Sequence, residues 1–287
     1  MPWSSSLGLT RLAGMQHEFF EVDVFATGAF NGNALAVIAG ADGLSAQQMQ
    51  AIANWTNFSE TTFLLEPHDA RADYRVRIFT PYEEFDFAGH PTLGSAAAWR
   101  ALGNHPQSEG SIVQECGVGL VTVREEGDVL SFATPPLRRE EPLSPADLKE
   151  ACGGLGLDSA DIVDHGWVDN GPGWRLLQLR DAEAVRAVKP HGERPKVGVV
   201  GLNPNAAEGE SAYEVRAFTT QFEDPVTGSF NGGAAQFMRS RNLVPTRYTA
   251  TQGSQIGRAG EVFINDDGTD IWVGGRAHIR VRGTLEV

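Results

Sequence analysis

Hydrophobic and polar residues alternate over residues 18–25, and a short apolar run follows at residues 34–39 after a glycine-rich bend. Alternation with a period of two is typical of half-buried β-strands, so the chain is predicted to begin with a strand hairpin. Ser45 and Gln48 then have the spacing of a capping box, and apolar residues follow them at helical spacing. This pattern predicts a helix over about residues 46–55.

The same patterns predict further elements along the rest of the chain. Strands are predicted at about residues 61–66, 74–80, 111–115, 118–125, 129–133, 174–180, 196–201 and 212–219, and a helix at about residues 181–188. Pro91 has the position that proline tolerates in the first turn of a helix, and small and apolar residues follow it. Gly89 and His90 are therefore predicted to lie at the amino end of a helix.

Two segments of the chain resemble each other at a constant offset in the numbering. Residues 76–80 (VRIFT) match residues 215–219 (VRAFT), and the same offset aligns Gly89 with Gly228. Over residues 76–99, eight of 24 ungapped positions are identical, whereas ordinary residue usage gives roughly one or two. A repeated strand, loop and small-residue helix indicates a duplication that produces two similar lobes.

A proline-bearing stretch at residues 135–145 separates the two copies and is the best candidate for a linker. We therefore divide the chain into an amino-terminal extension (1–16), an amino-terminal lobe (17–134) and a carboxy-terminal lobe (135–287). The last strand, near residues 278–287, is a candidate to pack with the amino-terminal lobe. A site formed by both copies of the repeat is expected between the lobes.

Composition limits the classes of protein to consider. The 287 residues carry a formal net charge of −14, which repels phosphate backbones and anionic lipid, so nucleic-acid and membrane partners are not expected. No apolar run approaches the roughly 18 residues that a membrane-spanning helix needs.

The two cysteines, Cys116 and Cys152, are far apart in the sequence. This spacing is not that of a disulfide framework or a thiolate zinc site, and it indicates the reducing cytoplasm. The histidines form no HxxxH or HExxH pattern, so no metal is expected.

Two helix amino-termini that face one cleft supply unpaired backbone N–H groups and partial positive charge, which favour an anion. Gly89 at one terminus, and Gly228 and Ser229 at the other, are expected to let a small carboxylate approach the backbone. The sequence therefore indicates a small carboxylate-bearing ligand held between the lobes.

Three further side chains are candidates for proton transfer or substrate binding, and each has a structural alternative. Glu60 lies between Phe58 and Phe63, where a desolvated carboxyl group has a raised pKa, but the same position also suits a solvated loop glutamate. His90 is either a hydrogen-bond donor to substrate or a helix-cap residue. Asp224 precedes a proline, as turn-initiating aspartates often do.

Several segments resemble the PhzF-like family, which takes its name from an isomerase of phenazine biosynthesis. They are VDVFATGAFNGNALAVI (22–38), IANWTNFSETTF (52–63), VRIFTPYEEFDFAGHPTLGSAAA (76–98), EDPVTGSFNGGAAQF (223–237), QGSQIGR (252–258) and VGG (273–275). The resemblance extends from about residue 17 to residue 287. It implies a diaminopimelate-epimerase-like α+β fold of two pseudo-symmetric lobes, each an antiparallel β-sheet wrapped around a central α-helix. It also implies an active site between the lobes, and homodimers are common in the family.

The resemblance assigns roles to the candidate residues. By motif, Glu60 is the acid/base that transfers the proton, and His90 and Asp224 bind substrate and assist proton movement. The anion cradle is formed by Gly89, Gly228 and Ser229. Relatives of the racemase branch use two opposed cysteines, whereas Cys116 and Cys152 lie outside the repeated motifs, which favours a single base.

One segment departs from the family pattern. Many relatives follow the TGS motif with alanine or an Ala-His pair, whereas this chain has Phe230 and Asn231, which is expected to change what lines the second helix terminus. The sequence therefore does not identify the substrate. We expect an isomerase without a cofactor that acts on a small carboxylate. An epimerase or lyase on an amino-acid-like compound is the enzymatic alternative, and a non-catalytic small-anion-binding protein is the other.

Overall fold

The computed structural model describes residues 15–207 and 209–287. Apart from its last two residues, the predicted extension (1–16) lies outside the described residues, and the first strand begins at Gln16. The first half of the chain contains strands β1 (Gln16–Val24), β2 (Asn33–Ala39), β3 (Thr61–Leu65), β4 (Tyr74–Phe79), β5 (Glu84–Phe85), β6 (Ser111–Cys116), β7 (Gly119–Glu126) and β8 (Val129–Ala133), with helices α1 (Ala46–Thr56) and α2 (Gly89–Ala101).

The second half begins with a helix inside the stretch that was predicted as a linker. Its elements are α3 (Pro145–Leu155), β9 (Ile162–Trp167), β10 (Arg175–Leu179), α4 (Ala182–Ala187), β11 (Val197–Leu202), β12 (Tyr213–Phe218), β13 (Glu223–Asp224), α5 (Gly228–Ser240), β14 (Arg247–Gln252), β15 (Gly260–Asp266) and β16 (Ile271–Glu286). Short 3₁₀ turns occur at Ser159–Asp161 and Ser254–Ile256.

The strands of the amino-terminal lobe form a closed ring around α2. In order of hydrogen bonding the ring is β1, β2, β3, β4, β6, β7, β8 and β16, and β16 pairs again with β1. Helix α2 contacts all eight of these strands, and ten of its thirteen residues are buried. A helix enclosed on all sides needs no polar face, which explains why its sequence consists mainly of glycine, alanine and other small or apolar residues.

The last strand belongs to both lobes. Residues 271–276 of β16 pair with β15 and β8, and residues 277–286 pair with β1. From β16 the sheet continues through β15, β14, β12, β11 and β10 to β9, and α5 is the largely buried helix of this second lobe. The two lobes are therefore joined by one continuous strand.

The sheet is mixed. Most neighbouring strands are antiparallel, but the pairs β2–β3, β4–β6, β10–β11 and β12–β14 are parallel. Each parallel pair is joined by a connection that carries a helix, because a tight hairpin cannot link parallel strands. The predicted α+β class and two-lobed architecture are confirmed, with parallel pairs added to the expected antiparallel sheets.

The constant offset of the repeat recurs in the structure. The offset that relates Gly89 to Gly228 also relates β4 to β12, β5 to β13 and α2 to α5. In each pair the first and last residues of the two elements correspond. The hydroxyl groups of Thr80 and Thr219 close equivalent turns, donating to backbone carbonyls at 3.1 and 3.0 Å. Helices α2 and α5 therefore start at equivalent points of the two lobes.

Helix α1 and the loop after it position Glu60. The Ser45 hydroxyl accepts a hydrogen bond from the N–H of Gln48, whose side chain accepts one from the N–H of Ser45, so the predicted capping box is confirmed. The helix ends at Thr56, and the next residue, Asn57, has a φ of 57°, in the left-handed region that asparagine adopts more readily than most residues. Glu60 follows in a short loop and directly precedes β3.

Candidate active site

Helices α2 and α5 begin against each other between the lobes. A Cβ atom added to Gly228 would lie 3.1 Å from the Cα of Gly89, and one added to Gly89 would lie 3.3 Å from the Cα of Gly228. Such distances are tighter than ordinary side-chain contacts. The close approach of the two helix termini therefore depends on glycine at both positions.

Neither helix has a side-chain cap. Ala88 and Thr227 occupy the two N-cap positions, and neither side chain hydrogen-bonds to the helix backbone. The first N–H groups of an α-helix have no partner within it, and Pro91 has no N–H group. The donors without a partner inside their helices are the N–H groups of Gly89, His90, Gly228, Ser229 and Phe230. Together with two helix dipoles they give an arrangement that favours an anion.

Glu60 and His90 approach each other beside these termini. Oε2 of Glu60 lies 3.3 Å from Nδ1 of His90, and the exposed fractions of the two side chains are 16% and 5%. Burial and the charge of Asp224 raise the pKa of Glu60 to about 8, against an opposing effect of Lys196. Burial lowers the pKa of His90 to about 3. At neutral pH the contact therefore joins a mostly protonated carboxyl group to a neutral imidazole, which is not an ion pair.

Two polar atoms of this pair are buried without a hydrogen-bond partner among the described residues. They are Oε2 of Glu60 and Nε2 of His90. Buried polar atoms in folded proteins are nearly always hydrogen-bonded. Both atoms are therefore available for hydrogen bonds to a ligand.

Asp224 is held by hydrogen bonds from both lobes. Its Oδ1 accepts from the Asn33 amide at 3.0 Å, and its Oδ2 accepts from the Thr227 hydroxyl at 2.6 Å. Gln252 in β14 donates to the Asp224 carbonyl and to Thr227 Oγ1, both at 3.0 Å. Burial raises the pKa of Asp224 to about 6, although the hydrogen bonds from Thr227 and Asn33 oppose this shift. Asp224 is therefore mostly ionised at neutral pH.

The roles of Asn33, Thr227 and Gln252 were not predicted from the sequence. All three lie in segments that carry the family resemblance, which was the only signal available for them. Asn33 and Asp224 are 191 residues apart and meet only because the lobes meet.

Residues of the carboxy-terminal lobe hold the first turn of α5 in place. Ser229 Oγ accepts a hydrogen bond from the indole N–H of Trp174 at 3.0 Å. Phe230 packs edge-on against Trp174 with ring centroids 5.5 Å apart, and Asn231 donates to Gln252 at 2.7 Å. Phe230 and Asn231 are both completely buried. Phe230 therefore packs in the interior beside Trp174, and Asn231 belongs to the hydrogen-bond network of Thr227 and Gln252.

All six site residues predicted from the sequence lie at this junction of α2 and α5. They are Glu60, Gly89, His90, Asp224, Gly228 and Ser229. Within the part of the chain that the structure describes, no group of three or more His, Cys, Asp or Glu side chains is arranged to hold a metal ion. In the same residues, none of the helices combines the length and apolar character needed to cross a membrane.

Known proteins have sequences and folds similar to those of this chain. The family model described as phenazine biosynthesis-like protein (PhzC-PhzF) matches residues 22–283. The chain is 33% identical to the Schizosaccharomyces pombe protein named antisense-enhancing sequence 1, over 93% of this chain and 98% of that protein. It is 32% identical to trans-2,3-dihydro-3-hydroxyanthranilate isomerase of Pseudomonas aeruginosa, over 88% and 91% of the two chains. A PhzF-family crystal structure from Bacillus anthracis has a TM-score of 0.80 at 21% identity, covering 95% of this chain and 100% of that one. The chain therefore belongs to the PhzC-PhzF family of phenazine biosynthesis-like proteins, which includes isomerases.

Proposed function

We propose that this protein is an isomerase that moves a proton between two carbon atoms of a small carboxylate-bearing metabolite, with Glu60 as its single acid/base. The observation that carries the proposal is the environment of Glu60, a buried carboxyl group beside a neutral imidazole and two uncapped helix termini. With a pKa of about 8, both protonation states of Glu60 are accessible near neutral pH. Such a group can take a proton from carbon and also return it.

The reaction begins with Glu60 ionised. The substrate carboxylate accepts hydrogen bonds from the N–H groups at the starts of α2 and α5, and Glu60 removes a proton from an acidified carbon. The electrons of the broken C–H bond move into the conjugated carboxylate system, where the helix termini stabilise the developing charge. Glu60 then gives the proton to a second carbon and is ionised again. Nε2 of His90 has no partner among the described residues, and we expect it to hydrogen-bond to the substrate.

The relatives support the type of reaction and suggest the first compounds to test. The Pseudomonas aeruginosa relative is named for the isomerisation of trans-2,3-dihydro-3-hydroxyanthranilate, which carries a carboxylate. We would incubate the purified protein with that compound and with related small carboxylates, and follow C–H signals by proton NMR. We expect at least one compound to give a product of unchanged mass. Equal carboxylate binding by the wild type and Glu60→Gln, with turnover in neither, would support the binding-protein alternative instead.

A reaction with two opposed thiols is disfavoured. Cys116 lies in β6 and Cys152 in α3, and the N-cap positions of α2 and α5 are Ala88 and Thr227. Burial raises the pKa of both cysteines, which disfavours the thiolate that such chemistry needs. These positions support a single base.

Replacing Asp224 with asparagine is expected to lower the pKa of Glu60, because the charge of Asp224 is one cause of its increase. The midpoint at which kcat/KM rises with pH should therefore move below that of the wild type. Plateau turnover should fall roughly 10- to 100-fold, since the hydrogen bonds from Asn33 and Thr227 are also disturbed. The pH profile of Asp270→Asn, a change at an exposed aspartate, is the control. An unchanged midpoint in Asp224→Asn would contradict the role of its charge.

Gly228→Ala is expected to lower turnover roughly 10- to 100-fold and the free energy of unfolding by about 1–2 kcal/mol. The added methyl group presses on the backbone of Gly89 and His90, so the helix termini must separate by a few tenths of an ångström. Kinetics and thermal unfolding measure the two effects. Gly153→Ala in α3 is the matched control, because nothing lies within 4 Å of the added carbon there. Full activity in Gly228→Ala would show that this contact does not matter for the reaction.

A further inference from the structure

One lysine lies beside the site and has no counter-ion. The chain has three lysines, of which Lys149 and Lys189 are exposed, whereas Lys196 is half-buried directly before β11. Within residues 15–207 and 209–287, the Lys196 side chain forms no ion pair and no hydrogen bond. The stem of such a lysine packs on the protein while its ammonium group stays accessible, so the charge is free to pair with an anionic ligand.

The repeat makes Lys196 the counterpart of Glu60 in the carboxy-terminal lobe. The residue after Glu60 pairs with Phe79 in β4, and the residue after Lys196 pairs with Phe218 in β12. Phe79 and Phe218 are equivalent, since they are the last residues of the two repeated strands. Glu60 and Lys196 therefore occupy equivalent positions in the two lobes, at the ends of strands that lead away from the junction of α2 and α5.

Contacts connect Lys196 to the start of α5. Its carbonyl accepts a hydrogen bond from the N–H of Arg175 at 3.2 Å. The residue before Arg175 is Trp174, whose indole donates to Ser229 Oγ in the first turn of α5 at 3.0 Å. Lys196 is also close enough to Glu60 to oppose the rise of its pKa. The Lys196 backbone is therefore linked through Arg175 and Trp174 to the first turn of α5, on the carboxy-terminal-lobe side of the site.

The charges of the site favour an additional cation beside it. Asp224 is mostly ionised at neutral pH, whereas Glu60 is mostly protonated. A substrate carboxylate that approaches the two helix termini therefore meets one full negative charge. Each helix terminus offers only about half a positive charge, so an additional cation improves the binding of an acid.

We propose that Lys196 is a substrate-binding residue that makes the site selective for carboxylic acids over their neutral amides. Its ammonium group pairs with the same carboxylate that accepts hydrogen bonds from the N–H groups of α2 and α5. This inference rests on the proposed function and adds a specificity residue to it.

The test compares a charged ligand with an uncharged one of the same shape. We would measure by calorimetry the binding of 3-hydroxyanthranilate, the aromatic form of the compound in the relative's name, and of its carboxamide. The proteins are the wild type, Lys196→Met, Lys196→Arg and Lys189→Met. Loss of one charge-assisted hydrogen bond is expected to weaken acid binding by Lys196→Met roughly 10- to 100-fold, with little change for the amide. Lys196→Arg should recover part of the preference, and Lys189→Met should keep all of it.

A second readout does not depend on affinity. Reductive ¹³C-methylation labels the three lysines and the α-amino group. The Lys196 signal is the one that is missing from Lys196→Met, and 3-hydroxyanthranilate should shift that signal alone. Acid preference retained in Lys196→Met would overturn the inference and leave the proposed function standing. A wild type that shows no preference for the acid would overturn the inference together with the carboxylate part of the proposed function. Thermal unfolding of each variant shows whether a loss of affinity comes from misfolding. If it does, the shift of the Lys196 signal in the wild type tests whether Lys196 binds the ligand.

Discussion

Replacing Glu60 with glutamine is expected to reduce turnover by roughly 10²- to 10⁴-fold while ligand binding is preserved. Glutamine keeps the size of the side chain but cannot take a proton from carbon. Glu66→Gln, at an exposed glutamate just after β3, is the matched control and should keep wild-type turnover. Initial rates and ligand affinities of the three proteins check this expectation. Full activity in Glu60→Gln would rule out Glu60 as the acid/base.

The same variant tests the environment of Glu60 through stability. The pKa of Glu60 is raised from an ordinary 4.5 to about 8 on folding, so the folded protein retains a proton that the unfolded chain loses between these values. The wild type is therefore destabilised as pH rises through this range, and the effect is complete above the folded pKa. Glu60→Gln should have nearly wild-type stability at pH 4 and exceed it by up to roughly 4–5 kcal/mol at pH 9. Urea unfolding at both pH values measures the difference.

Replacing Glu223 with glutamine is expected to lower the free energy of unfolding by about 3–5 kcal/mol. Glu223 and Arg216 are 9% and 4% exposed and form two hydrogen bonds, of 2.8 and 2.7 Å. Arg216 also donates to the carbonyl of Val188 at 2.7 Å, so its guanidinium cannot turn toward water. Glutamine would leave that charge buried without its counter-ion. Because Glu223 directly precedes Asp224 in β13, turnover should fall as well.

The duplication supplies the control for this experiment. Arg77 and Glu84 form the equivalent pair in the amino-terminal lobe, but their side chains are 26% and 40% exposed. Glu84→Gln should therefore cost less than about 1 kcal/mol, because water can solvate the remaining charge. Urea unfolding of both variants at pH 7 gives the comparison. Equal costs for the two substitutions would show that burial does not set the strength of this pair.

The two lobes and the location of the site could be predicted from the sequence because both depend on local order. The segment from β4 to α2 repeats with a constant offset, so the glycines at the two helix starts had to occupy equivalent places. The roles of Asn33 and Gln252 could not be predicted in this way. Their hydrogen bonds to Asp224 and Thr227 depend on contacts between distant segments, and the pattern of a single sequence does not show which distant segments are in contact.

Some elements were not predicted because one sequence pattern is compatible with two structures. Ser144 and Pro145 indicated a linker, but a serine N-cap followed by proline in the first turn is also the start of a helix, and α3 begins there. Only the end of the 16-residue β16 was predicted. Its first part is buried between both lobes and its last part is largely exposed, so the strand has no single alternation.

In the proposed reaction one carboxyl group, that of Glu60, both removes and returns the migrating hydrogen. The most direct measurement uses a substrate deuterated at the carbon that loses hydrogen, turned over in ordinary water, with NMR of the product. We expect part of the wild-type product to carry deuterium at the receiving carbon, and Glu60→Gln to form this product at least roughly 100-fold more slowly. Formation of the same labelled product by Glu60→Gln at the wild-type rate would contradict this role of Glu60.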